Sequence, residues 1–175
     1  MAAHRMDARA PARLVPVLLS LGSNIRPEYH LRAALAELRA CFGPLRASPG
    51  YRNPAVGFDG APFINSGVLL HTVLPLPALE SWLRGLEDRH GRDRRVKGLA
   101  DRTLDLDVVF YGDAVLAHHG KPRIPRPERV HAFVLKPLAQ IAPDFIDPVH
   151  GLALAQLWQC HPDRDTAYEA VDLEG

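Results

Sequence analysis

Apolar and polar positions along the chain change period several times, and each change predicts an element. Val17 to Leu21 is a continuous apolar run closed by Gly22-Ser23-Asn24, the pattern of a buried strand followed by a turn. Pro27 suits the first position of a helix in which Leu31, Leu35, Leu38 and Phe42 recur at helical spacing, with Gly43 placed to cap it. Leu45 to Tyr51 is a short strand candidate despite Pro49, and Asn53 to Pro62 is a loop rich in turn formers. Phe63 to Val73 is the next strand, with Ile64, Ser66 and Val68 alternating against Asn65 and Gly67. Pro77 opens a second helix whose stripe is Leu79, Leu83 and Leu86, and Gly91 stops it. Leu104, Leu106, Val108, Val109 and Phe110 form a further strand, ended by Gly112-Asp113.

The order is β-α-β-β-α-β, which predicts an α+β fold of ferredoxin-like type: an antiparallel sheet with two helices on one face. A C-terminal extension follows. It holds a turn, a loop from Lys121 to Pro127, an apolar helical segment from Phe133 to Ile141, and a short helix from Leu152 to Cys160. No internal repeat or low-complexity linker divides the chain. A single domain over residues 14–160 is therefore expected, with residues 1–13 and 161–175 as flexible tails.

The strand at residues 104–110 carries the chemistry. Asp105 and Asp107 are two apart, so they share one face about 7 Å apart at a rise of about 3.3 Å per residue. Leu104, Leu106 and Val108 point the other way, into a core. Paired carboxylates repel unless a cation separates them, and Mg²⁺ accepts one or two carboxylates plus phosphate oxygens. An Asp-x-Asp pair also suits the wet face of an ordinary strand. What shifts the reading is the segment before it: Arg84 to Arg102 holds seven Lys or Arg and four acids, a local net of +3, whereas the whole chain is only +1. A basic loop running into paired carboxylates fits a polyphosphate held by guanidinium groups and metal together. Residues 92–101 lack apolar periodicity between Gly91 and Gly98, which predicts a mobile loop that orders with nucleotide. No GxxxxGK[ST] loop is present, so any nucleotide is held by side chains.

Composition narrows the classes. At 47% hydrophobic and 23% charged, the 175 residues suit a globular domain with a core. The near-neutral charge argues against a nucleic-acid binder. Cys41 and Cys160 have neither metal nor framework spacing, consistent with a reducing compartment and a cytoplasmic location. Arg5, Arg9 and Arg13 ahead of Leu14 to Leu21 imitate a signal peptide, yet no small-x-small site follows, and no run is long enough to span a membrane.

The motif Gly91-Arg92-x-Arg94 followed by Arg102-Thr103-Leu104-Asp105-Leu106-Asp107 closely resembles the signature of the 6-hydroxymethyl-7,8-dihydropterin pyrophosphokinase family. Four further pieces match in order: Leu21-Gly22-Ser23-Asn24, Tyr51-Arg52-Asn53-Pro54, Pro62-Phe63-Ile64-Asn65 and Phe133-Val134-Leu135-x-Pro137-Leu138. Together they cover roughly residues 17–160. The resemblance implies a ferredoxin-like fold and transfer of pyrophosphate from ATP to the hydroxymethyl group of the pterin, releasing AMP, in folate biosynthesis. It implies that Asp105 and Asp107 hold two Mg²⁺ ions and that Arg92 and Arg94 close over the phosphates. Glu87, Arg102, Val108, Lys121, Arg123 and Arg126 are implied at the nucleotide site. Asn53, Pro54, Val56, Phe63, Asn65 and Phe133 are implied around the pterin. Small-molecule substrates, no nucleic acid, no membrane and a monomer complete the expectation.

This sequence departs from the family pattern at three places: Leu99 in place of a loop tryptophan, Arg126 in place of a histidine, and His131 in place of an arginine. These departures keep open a related metal-dependent phosphotransferase with a different acceptor. A non-catalytic ferredoxin-like module binding RNA or another phosphate ligand is the third reading. It would have no use for Asp105 and Asp107 on one face, so that pair discriminates.

Overall fold

The computed structural model describes residues 12–175, so the expected leader lies almost wholly outside the described residues. The elements in order are β1 (Val15–Ser23), α1 (Pro27–Phe42), β2 (Arg46–Ala47), β3 (Gly50–Asn53), β4 (Phe63–Thr72), α2 (Leu76–Arg89), β5 (Asp105–Tyr111), β6 (Leu116–His118), β7 (Lys121–Ile124), a 3-10 turn (Pro127–Val130), α3 (Ala132–Ile141), α4 (Leu154–Gln159) and β8 (Ala170–Val171). The main sheet runs β5-β1-β4-β3-β8, with β2 also paired to β4, and every pairing is antiparallel. This is the ferredoxin-like α+β arrangement that the element order predicts.

Alternation along the strands gives the sheet two different faces. Val17, Leu19 and Leu21 of β1, Ile64, Val68 and Leu70 of β4, and Leu106 and Val108 of β5 pack against Leu31, Leu35 and Leu38 of α1 and Leu79, Leu83 and Leu86 of α2. Leu18, Val109 and Phe110 face the other way and pack on Val134, Leu135 and Leu138 of α3 and Leu154 of α4. The C-terminal extension is therefore a third layer covering the second face. Gly67 lets α3 approach closely: a Cβ there would lie 2.8 Å from Leu138 Cδ2 and 3.2 Å from the α3 backbone.

Three departures from the sequence reading have local causes. The β1–β5 register shifts between Leu18 and Leu19, opposite Val109, so Val109 and Phe110 turn to the same face; strict alternation places Phe110 with Leu106. Residues 116–124 form a small hairpin, β6–β7, inside the stretch read as a turn and a loop. Finally, the segment after His161 is not a loose tail throughout. Ala170 and Val171 pair with Tyr51 and Gly50, Leu173 is buried, and Arg32 and Arg39 of α1 hold the Asp172 carbonyl and the Glu174 carboxylate. Two paired residues are too few to show periodicity in a polar, acidic sequence.

Candidate functional site

Register builds the site floor on the second face, beside the part that α3 covers. Asp105 lies across from Gly22, and Gly22 from Asn65; Asp107 lies across from Ser20. Directly paired residues share a face, so Asp105, Gly22 and Asn65 form one cross-strand row. Gly22 contributes no side chain, which leaves a gap between the carboxylate and the amide. A Cβ at Gly22 would sit 2.9 Å from Asn65 Nδ2 and 3.7 Å from Phe63 Cδ1. Asn53, paired with Phe63, donates through Nδ2 to Tyr51 O at 3.0 Å and Asn65 Oδ1 at 3.2 Å. Those bonds leave the Asn65 amide nitrogen for a ligand.

Above this floor is a cavity of about 580 Å³, within the range of small-molecule sites. Of the residues expected from the sequence, Asn53, Pro54, Val56, Phe63, Asn65, Glu87, Arg92, Arg94, Arg102, Asp105, Asp107, Val108, Arg123, Arg126 and Phe133 all border it. Val108 borders it while belonging to the core on the α1 and α2 side. Lys121 does not line the cavity; it is exposed at the start of β7. Sequence reasoning missed Phe58, Glu80, Glu128 and Arg129, which reach the cavity through tertiary packing and carry no local motif.

Much of the charge in the cavity is paired. Arg92 Nη1 donates to Asp105 Oδ1 at 2.9 Å and to Leu104 O at 3.1 Å. Arg126 Nη2 lies 3.2 Å from Asp107 Oδ1, with its Nε 3.5 Å from Glu128. Arg94 donates to Glu87 Oε2 at 2.9 Å and Asp88 Oδ1 at 2.7 Å. Glu87 is buried at the end of α2, and its other oxygen accepts the backbone N–H of Leu106 at 2.7 Å. Among the described residues β5 is the outermost strand, so that N–H has no neighbouring strand there to pair with. Burial pushes the Asp107 carboxyl up to about 7; Asp105 adds to this, Arg126 opposes it, and Glu87 and Glu128 contribute further.

The basic loop is tied at its C-terminal end. Asn24 Oδ1 accepts Arg102 N at 2.8 Å, and Asn24 Nδ2 donates to Asp101 Oδ1 at 2.7 Å and Ala61 O at 3.1 Å. Arg102 donates to the carbonyl of Gly98. Leu99, though largely exposed, sits against Gly57, where an added Cβ would collide with Leu99 Cδ1. The 53–62 loop and the basic loop therefore meet across the cavity mouth.

Two carboxylates on one strand face, each paired among the described residues only to an arginine with other partners, suit a hard cation. Their donors are all oxygen, and Mg²⁺ asks a protein for one or two carboxylates. The arginines suit phosphate, while the Phe63 ring and the Asn65 amide suit a flat, hydrogen-bonding heterocycle.

Comparison with known proteins agrees with this chemistry. The sequence model described as 7,8-dihydro-6-hydroxymethylpterin-pyrophosphokinase (HPPK) matches residues 18–143. The chain is 40% identical over 151 residues to a 2-amino-4-hydroxy-6-hydroxymethyldihydropteridine pyrophosphokinase of Synechocystis sp., covering 84% of this chain and 76% of that one. It is 36% identical over 140 residues to the protein of the same name from Pseudomonas aeruginosa, covering 73% and 81%. Among solved structures, wild-type Plasmodium falciparum HPPK-DHPS superposes with a TM-score of 0.67 at 13% identity, covering 87% of this chain and 45% of that one. At that identity the likeness speaks to the fold alone, and this chain spans less than half of that protein.

Proposed function

The chain belongs to the 7,8-dihydro-6-hydroxymethylpterin-pyrophosphokinase family, and from that membership we propose that it transfers pyrophosphate from ATP to 6-hydroxymethyl-7,8-dihydropterin in folate biosynthesis. The products are AMP and the pterin diphosphate. The observation that carries this reading is the cross-strand row in which Asp105 and Asn65 face one cavity across Gly22. It sets a carboxylate pair for metal and phosphate beside an amide for the pterin.

The residues divide the work. Asn65, with Asn53 behind it, pairs with the edge of the pterin ring, and Phe63 and Phe133 supply apolar surface for the ring. Pro54 and Val56 shape the loop over the same slot. Asp105 and Asp107 are the residues that would hold Mg²⁺, two ions in the full reading, which when bound neutralise charge on the triphosphate. Arg92 and Arg126 now neutralise the same two carboxylates. With those carboxylates holding a metal, Arg92 and Arg126 would be free to turn to phosphate oxygens. Arg92 and Arg94, on the loop, then cover the charge that develops as the bond between the α- and β-phosphates loosens. Glu87, Arg102, Arg123 and Val108 frame the nucleotide end. Closure of the basic loop on the 53–62 loop, through Leu99 and Gly57, excludes water that would otherwise hydrolyse ATP.

We place the protein in the cytoplasm as a monomeric, single-domain enzyme; among the described residues no helix is long and apolar enough to cross a membrane. The test is AMP formation from ATP and Mg²⁺ with and without hydroxymethyl-dihydropterin. Pterin-dependent AMP is expected. ATP consumption that ignores the pterin would overturn the acceptor assignment.

A further inference from the structure

Arg129 is held differently from the arginines that pair with the carboxylates of the site. Arg92, Arg94 and Arg126 spend their guanidinium ends on the carboxylates of the site. Arg129, in the turn Pro127–Val130, is gripped from behind. Its Nε donates to Asp147 Oδ2 at 2.7 Å and its Nη1 to Arg126 O at 3.1 Å. Among the described residues its Nη2 has no hydrogen-bond partner, yet the residue borders the cavity beside Arg126 and Phe133.

The grip is unusual in its completeness. The side chain of Asp147 is 0% exposed, and besides Arg129 it accepts from His150 Nδ1 at 2.9 Å, Val149 N at 2.8 Å and His150 N at 3.2 Å. Burial alone would push this carboxyl up, but the hydrogen bonds outweigh it and hold the carboxyl below its ordinary value. A charge buried this deeply is tolerated only when fully satisfied, and its satisfaction fixes one guanidinium in place. A strut between the turn and the 147–150 loop would need only the Nε contact. It would not need to border the cavity.

We propose that Arg129 is an anion-binding residue of this cavity, presenting Nη2 to a phosphate oxygen of the nucleoside triphosphate, with Asp147 and His150 as its positioning residues. The inference rests on the polyphosphate reading given above. Arg129 is preorganised, because it gives up no cavity carboxylate when the ligand arrives. Arg92 and Arg126 must first leave Asp105 and Asp107. Arg129 thus differs in kind from Arg92 and Arg94: it belongs to ground-state binding, while those loop arginines belong to turnover.

The experiment uses the full chain with Mg²⁺ and compares wild type with Arg129→Ala, Arg129→Lys and Asp147→Asn. Calorimetry follows binding of a non-hydrolysable ATP analogue, of tripolyphosphate and of hydroxymethyl-dihydropterin, alongside thermal melts and steady-state kinetics. Arg129→Ala should weaken the ATP analogue and tripolyphosphate by about 10- to 100-fold, the range of a charge-assisted hydrogen bond, and leave pterin affinity within about twofold. Asp147→Asn should raise KM for ATP while KM for the pterin holds. Unchanged affinity for both phosphate ligands, with only a lower melting temperature, would make Arg129 a strut and overturn the proposal. If Arg129→Ala does not fold, Arg129→Lys decides, since a lysine lacks the planar fork that reaches Asp147 through Nε and a phosphate through Nη2: weaker tripolyphosphate binding supports the proposal and equal binding overturns it. If wild type makes no AMP yet Arg129→Ala loses tripolyphosphate binding, the anion site stands and the proposed reaction falls.

Discussion

Replacing Asp107 by Asn should make the metal-free protein more stable and the enzyme inactive. Asp107 faces Asp105, Glu87 and Glu128, with only Arg126 in opposition, and its carboxyl is pushed from 3.8 up to about 7. A carboxyl whose folded value exceeds its unfolded value contributes stability below the unfolded value, and this is lost as the pH rises through the folded one. The window is therefore about pH 4 to 7. A difference of about three units corresponds to about 4 kcal/mol at about 1.36 kcal/mol per unit. The side chain is 31% exposed, so solvent screens part of this. Losing the Arg126 pair returns up to about 1 kcal/mol more. A net gain of about 1–2 kcal/mol remains for Asp107→Asn at pH 8, or about 2–8 °C in Tm for a chain of this size. Thermal melts in a chelator at pH 4 and pH 8 measure it: the proteins should converge at the lower pH and separate at the higher. Saturating Mg²⁺ with an ATP analogue should reverse the order by stabilising wild type alone. Equal melting of the two proteins at pH 8 without metal would refute the account of the carboxylate cluster.

Further outcomes follow from other parts of the site. Arg92→Ala should lower kcat by very roughly 10³-fold and affect ATP binding far less; steady-state kinetics at two ionic strengths checks it, because a merely attractive charge would move KM and be mimicked by salt. Gly22→Ala drives a Cβ to 2.9 Å from Asn65 Nδ2, so pterin KM should rise about tenfold, the cost of one misplaced hydrogen bond, while ATP affinity holds in direct binding measurements. Amides in residues 92–101 should gain hydrogen-exchange protection when an ATP analogue and Mg²⁺ are added. Leu173→Ala should cost about 2–3 kcal/mol in denaturant unfolding, as for a buried leucine near the edge of a core, whereas a loose tail would register almost nothing.

Much of this could be read from the residues. The spacing of Leu31, Leu35 and Leu38 marks α1, the run from Val17 to Leu21 marks β1, and together the periods fix the strand and helix order. Alternation alone puts Asp105 and Asp107 on one face. It cannot reveal the bulge at Val109, because a bulge is a property of two paired strands and only one is legible at a time. The row Asp105–Gly22–Asn65 is hidden for the same reason: it depends on a register spanning residues 22 to 105. The pairing of Arg129 with Asp147, 18 positions apart, has no sequence period at all. Lys121, which the family resemblance implies at the nucleotide site, does not border the cavity. It falls within a basic stretch near the site, but the β6–β7 hairpin leaves it exposed.

The strand that bears both aspartates lies at the rim of the sheet, where unpaired backbone groups invite another chain to add a strand. Here the rim is occupied: the Glu87 carboxylate takes the Leu106 N–H, and the Arg126 N–H donates to the Val109 carbonyl at 2.9 Å. The side chains that surround the ligand cavity thus also keep neighbouring molecules from joining edge to edge. Selection on either property constrains the other. Variants that strip charge from this rim, Glu87→Leu foremost, should lose solubility on concentration as well as activity, so that self-association would be read in light scattering before any loss of helix content.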